Sequence, residues 1–233
     1  MKKIASNNLH FSVPDHDPSD KSRLQRMTAE FKMGFHFLKR LKKERVVSFF
    51  GSHLDKENER EYKQARALAK MLVKQGMVVL TGGGPGIMAA ANRGALEAGG
   101  RSLGLNLEFP DGEQKNKYVR ESVNFHYLFI RRMMLAHAAQ AYVFFPGGFG
   151  TLDEFFEIGT LIVTKKLHRD IPVILVGRDY WRSLKQWLEA FPMKRYQAIS
   201  AKEFSFWKIV DNEIEAFKLL KDILPHYPRH ESV

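Results

Sequence analysis

From Val46 onward, short unbroken apolar runs alternate with longer stretches in which apolar residues recur every three or four positions. The runs "VVSFF", "MVVL", "SLGLNL", "AYVFF" and "IPVILV" read as strands buried on both faces, since a strand covered on one face only would alternate apolar with polar. Between the first two, Glu57–Gln75 places Tyr62, Ala65, Leu68, Ala69, Leu72 and Val73 on one helical face and stops at Gly76. An alanine-rich helix, able to approach a sheet closely, follows "TGGGPG". After the polar, irregular "EFPDGEQKNKYV", the run "SVNFHYLF" predicts a short strand and "IRRMMLAHAAQ" a helix. The segment after "AYVFF" predicts a helix to about Lys166, and two more are expected near Tyr180–Ala190 and from about Trp207 to Ile223. This alternation predicts an α/β chain with a mostly parallel sheet between two helical layers.

Upstream, residues 1–20 are polar with two prolines, and "SRLQRMTAEFKMGFHFLKRLKK" then sets Leu24, Met27, Phe31, Phe35, Leu38 and Leu41 at helical spacing. This basic amphipathic helix is expected to pack its apolar face on the domain or on a partner subunit; a helix lying on a membrane surface or on nucleic acid is the less favoured reading. The 233 residues suit one large domain. The expected division is a tail and helix over 1–45 and a single catalytic domain over 46–233.

Composition narrows the chemistry. The chain is 44% hydrophobic and 27% charged, as in globular proteins, and no apolar run approaches a spanning helix. The N-terminus lacks the apolar core of a secretory signal, so a cytoplasmic location is expected. With no cysteine, disulfides, thiolate metal sites and cysteine nucleophiles are excluded. The formal charge of +11 favours an anionic partner, but eleven Lys/Arg against five Asp/Glu in residues 1–45 leave +6 of it in that segment. Sign alone does not choose among nucleic acid, acidic lipid and a phosphorylated metabolite; nucleic acid is the less expected partner.

Three strands end in small residues: Gly51-Ser52, Thr81–Gly86 (with Gly83 and Gly84) and Pro146–Gly150 (with Gly147 and Gly148). Ligands of open parallel sheets collect beyond such strand ends, where glycine lets backbone N–H groups approach an anion and the next helix offers its positive end. Gly84–Ala89 also satisfies G-x-G-x-x-A, which keeps an NAD-dependent dehydrogenase open. No P-loop motif occurs, so ATP or GTP hydrolysis of that type is not expected; there is no H-E-x-x-H and the nine histidines are scattered, so no metal is expected.

Thr151-Leu152-Asp153-Glu154 is T-x-x-E at a helix start, the pattern of a capping box. The functional alternative sets the Glu154 carboxylate beside a sugar phosphate, where it stabilises an oxocarbenium ion or activates water. Arg131-Arg132 opens a helix, where cations oppose the macrodipole, which hints at an anionic partner.

Taken together, "GGGPGIMAAANRGA", "EQKNKY", "FIRRMM" and "FFPGGFGTLDEFFEIGTL" resemble, in order and spacing, the Lonely Guy family, often labelled possible lysine decarboxylases, in its longer bacterial type. The resemblance runs from about Phe31 to Val176. It implies a Rossmann-like homo-oligomer that hydrolyses the N-glycosidic bond of a nucleoside 5′-monophosphate, either AMP or a cytokinin riboside monophosphate, with no cofactor. By position, Arg131 and Glu154 match the family's catalytic pair, Gly148, Phe149, Gly150 and Thr151 the phosphate-binding turn, and Glu113 and Thr160 further substrate contacts. Arg132 stands where a lysine is usual, and Gly51-Ser52-His53-Leu54 lacks the usual arginine shortly after the serine. No pyridoxal-phosphate lysine motif is recognisable. A non-catalytic carrier of a nucleotide or of molybdenum cofactor, on a related fold, is the alternative.

Overall fold

The structure, a computed structural model, describes residues 20–108, 115–168 and 170–223; the polar tail expected over residues 1–19, and Glu113, lie outside the described residues. Seven strands form one parallel sheet among them: β1 (Arg45–Phe50), β2 (Met77–Thr81), β3 (Ser102–Leu107), β4 (Glu121–Phe125), β5 (Ala141–Phe144), β6 (Val173–Val176) and β7 (Trp207–Val210). Their order is β4-β3-β2-β1-β5-β6-β7, so the winding reverses on either side of β1. The helices are α1 (Asp20–Lys39), α2 (Arg60–Val73), α3 (Ile87–Glu97), α4 (Leu128–Ala138), α5 (Phe149–Val163), α6 (Arg178–Leu188) and α7 (Glu213–Ile223).

The unbroken apolar runs have a direct cause in this layering. In β1, Val46 and Phe50 pack toward α1, α4, α5 and α6, while Val47 and Phe49 pack toward α2, α3 and α7. In β5, Tyr142 and Phe144 face the first layer and Ala141 and Val143 the second, joined by Phe145 just after the strand. Neither face meets water, so neither needs a polar phase. The close approach offered by the alanine-rich α3 is realised against α2, where a side chain at Gly94 would strike the Arg66 carbonyl at 2.1 Å.

Three expectations are corrected. The run "SVNFHYLF" is strand only to Phe125; Leu128 and Phe129 already belong to α4. The chain turns there because the buried carboxylate of Glu30 accepts the N–H groups of His126 (2.9 Å) and Tyr127 (3.2 Å), satisfying donors at the helix start. The apolar stripe predicted for α1 holds only in part: Met27, Phe31 and Leu38 pack against the core and Leu41, just beyond the helix, is buried, but Leu24 and Phe35 are 63% and 43% exposed, and Glu30, Gly34 and Phe37 complete the buried face. The helices cross closely at Gly34, where a side chain would meet Met134 at 2.7 Å.

The third correction concerns Trp207–Ile223, which is not one helix but edge strand β7 followed by α7. Asn212 makes the break: its Oδ1 accepts the N–H groups of Ile214 and Glu215, both at 3.0 Å, and Glu215 accepts Asp211 N–H at 3.0 Å. Asn212→Ala is expected to lower stability by about 1 kcal/mol, read as a drop in the urea midpoint with an unchanged slope.

Candidate active site

The strand-end turns are knitted to one another. Ser52 N–H donates to the Pro146 carbonyl and Ile87 N–H to the Ser52 carbonyl, each at 2.9 Å, so the turns after β1, β2 and β5 share backbone bonds. They enclose a cleft of about 800 Å³ bordered by Gly51 and His53 after β1, Gly82 and Gly84 after β2, and Gly148 to Thr151 after β5, with Arg131 and Glu154. Its place beside β1, where the strand order reverses, is where open α/β sheets take ligands. The volume is that of a small-molecule site.

The glycines answer to distinct constraints. Gly83 has φ +79°, and a side chain there would lie 1.7 Å from Asn106 Oδ1. The turn around it is held from behind by Asn116, whose N–H and Nδ2 donate to the Gly83 carbonyl (2.8 and 3.0 Å) and whose Nδ2 also reaches the Gly84 carbonyl (2.9 Å). Asn116 in turn bonds the fully buried Asn92, which accepts Thr81 Oγ1–H and donates to Ser102 Oγ and the Leu103 carbonyl.

The turn "PGGFGT" does not form the capping box that T-x-x-E suggests. Helix α5 begins at Phe149 with Gly148 as its cap and no side-chain cap bond. Thr151 is therefore inside the first turn, buried against Gly147, where a side chain would come within 2.2 Å of its Oγ1. The open N–H groups at this helix start remain for a ligand anion. The side-chain positions of Gly148 and Gly150 open on empty space, and Phe149 is 94% exposed.

Arg131 rises from α4 with Nε donating to the Leu105 carbonyl at 2.8 Å, and its guanidinium fills the space that a side chain at Gly82 would need. Glu154 is half-buried in the cleft. Burial pushes its carboxyl up to about 7, Arg131 pulls against that rise, and Asp153 and Glu157 add to it. A carboxyl poised there can take or give a proton near neutral pH, and Arg131 beside it can hold an anionic or hydroxylated substrate.

The structure brings Arg131, Glu154, Gly51, Gly84, Gly148, Phe149, Gly150 and Thr151 together around the cleft. Ser52, Gly83 and Gly147 lie in the same turns without bordering it. Arg132 is turned away: it bonds Asp153 and lies 3.3 Å from Glu157, tying α4 to α5, so the partner anion its position hinted at is internal. Thr160 is also elsewhere, exposed on α5 with its hydroxyl donating to the Phe156 carbonyl at 2.8 Å and bordering a separate small cavity. Residues not singled out from the sequence also line the cleft, among them Gly82, Met88 and Leu107. Gly82 had a signal, the run of three glycines; Met88 and Leu107 read as ordinary core. Among the described residues no group of three or more His, Cys, Asp or Glu is arranged to hold a metal, and no helix is long and apolar enough to cross a membrane.

The family described as possible lysine decarboxylase matches residues 88–220, more than half of the chain. A probable cytokinin riboside 5′-monophosphate phosphoribohydrolase of Oryza sativa subsp. japonica is 28% identical over 197 residues, covering 81% of this chain and 87% of that protein. A pyrimidine/purine nucleotide 5′-monophosphate nucleosidase of Escherichia coli K12 is 28% identical over 156 residues, which cover 61% of this chain and 34% of that longer protein. Among solved structures, the molybdenum cofactor carrier protein of Chlamydomonas reinhardtii superposes with a TM-score of 0.59 at 22% identity over 78% of this chain and 99% of its own, a likeness of fold. By its match to that family over more than half of its length, the chain belongs to the possible lysine decarboxylase, or Lonely Guy, family.

Proposed function

We propose that this protein hydrolyses the N-glycosidic bond of a nucleoside 5′-monophosphate, releasing the free base and ribose 5-phosphate. The observation that carries the reading is Glu154: a carboxyl pushed up to about 7 inside the cleft, opposed by Arg131, one turn along from an uncapped helix start. The turn Gly148–Thr151 and the start of α5 hold the 5′-phosphate. Arg131 orients the ribose phosphate. Glu154 takes a proton from water as the water oxygen bonds to the anomeric carbon, the carbon–nitrogen bond breaks, and the base leaves with the electron pair of that bond and takes up the proton that Glu154 then releases. Arg132 serves at one remove, by fixing α5 through Asp153 and Glu157. The names of the rice and E. coli relatives support the substrate class.

Incubation with AMP and with isopentenyladenosine monophosphate should yield free base by chromatography, and the ratio of the two rates decides whether an alkylated adenine is preferred. If no nucleoside monophosphate is cleaved, the reading fails. Tight binding without product, unchanged in Glu154→Gln, would identify a carrier instead. A homo-oligomer belongs to the same proposal, supported by the exposed apolar Phe35, Leu128 and Phe129 on α1 and α4, and light scattering counts its subunits.

A further inference from the structure

We infer that Tyr180, on α6, is a positioning residue that sets the peptide plane of the phosphate-holding turn, an inference that rests on the reading just given. Its hydroxyl donates to the Gly147 carbonyl at 2.6 Å. Among the described residues there are no cis peptide bonds, and in a trans peptide the carbonyl and the following N–H point in opposite directions. Drawing the Gly147 carbonyl toward Tyr180, which does not border the cleft, turns the Gly148 N–H toward the side that does. The same rotation removes a carbonyl oxygen from the surroundings of a phosphate, which it would repel.

This peptide needs an external hold. It joins two glycines, and the side-chain position of Gly148 is empty, so no side chain of their own restrains the plane. The preceding carbonyl, of Pro146, is already held by Ser52 N–H at 2.9 Å. Tyr180 completes the pair, so two successive carbonyls are held just before the helix start.

Tyr180 is itself firmly placed. The next residue, Trp181, is fully buried, donates Nε1–H to the Val176 carbonyl at 3.1 Å and packs on Phe155 with ring centroids 5.8 Å apart. Gly177, at φ +101°, lets the turn into α6 pass close to Pro146: a side chain there would lie 3.3 Å from the proline ring. The hydroxyl thus reaches Gly147 from a rigid base rather than from a mobile arm.

Tyr180→Phe removes only the hydroxyl and keeps the ring against Trp181. Calorimetric titration of the variant with ribose 5-phosphate is expected to give a Kd about five- to tenfold weaker than the parent. The KM for AMP should rise by a similar factor with kcat nearly unchanged, while the affinity for adenosine, which lacks the phosphate, and the thermal midpoint stay as they were. Equal ribose 5-phosphate affinity in parent and variant would overturn the inference and leave the proposed function standing, as would an equal loss for adenosine, which would make the hydroxyl a general support of the cleft. A parent that neither binds ribose 5-phosphate nor cleaves AMP would bring down the functional reading and this inference with it.

Discussion

Glu154→Gln is expected to lower kcat for nucleoside 5′-monophosphates by about a hundredfold or more and, in the same protein, to raise stability at alkaline pH. The parent carboxyl titrates near 7 when folded and near 4.5 when unfolded. Between those values the folded chain keeps a proton that the unfolded chain has lost, so parent stability falls as pH rises through that window. Above it the penalty is complete. The size is on the order of 1–3 kcal/mol, the lower end applying if water at the cleft mouth screens the charge. Glutamine has nearly the same shape and no charge to bury. The difference in thermal midpoint between variant and parent should therefore widen from pH 5 to pH 8, by roughly 2–4 °C for each kcal/mol. Steady-state kinetics and melting curves over that range test both halves. A variant as active as the parent would remove Glu154 from the chemistry, and a stability gap that does not change with pH would remove the buried charge.

Gly82→Ala is expected to cut kcat/KM by about a hundredfold through a residue that has no functional group at all. The added methyl would lie 2.1 Å from Arg131 Nη2 and 2.8 Å from Met88 Sδ. Both neighbours are ends of flexible side chains, so the backbone can stay in place while the guanidinium moves. Arg131→Met should cause a similar loss, and the double variant should be little worse than either alone, because both changes remove the same cation from the same place. Since Arg131 holds the Glu154 carboxyl down, either substitution should also shift the pH dependence of the residual activity upward. Additive losses in the double variant would mean that Gly82 acts by another route.

The strands and the glycine turns were legible because burial on both faces and anion access each leave a compositional mark. The edge strand β7 was not, since a four-residue strand with Lys208 exposed has no apolar run to declare it. The polar signal that mattered lay just after it, in Asn212 and Glu215. Helix geometry explains the misplaced site residues. Adjacent residues diverge by about 100° around a helix, so Arg131 and Arg132 cannot both face one cleft, and Arg132 meets Asp153 and Glu157, which share a face at a spacing of four. Thr160, six positions beyond Glu154, is rotated about 120° from it. Matching residues along a motif identified them; only the turn of the helix says where each one points.

The carboxylate of Glu30 gives the N-terminal helix a share in all of this. It supports the two N–H groups at the entry of α4, and Arg131 stands only four residues after the second of them. A shortened chain beginning at β1 would retain each described residue that lines the cleft, yet the helix carrying its cation would start unsupported. The smallest unit that holds the cleft in shape therefore reaches back into α1, and an engineer trimming the basic segment for solubility would be loosening a hinge pin of the cleft.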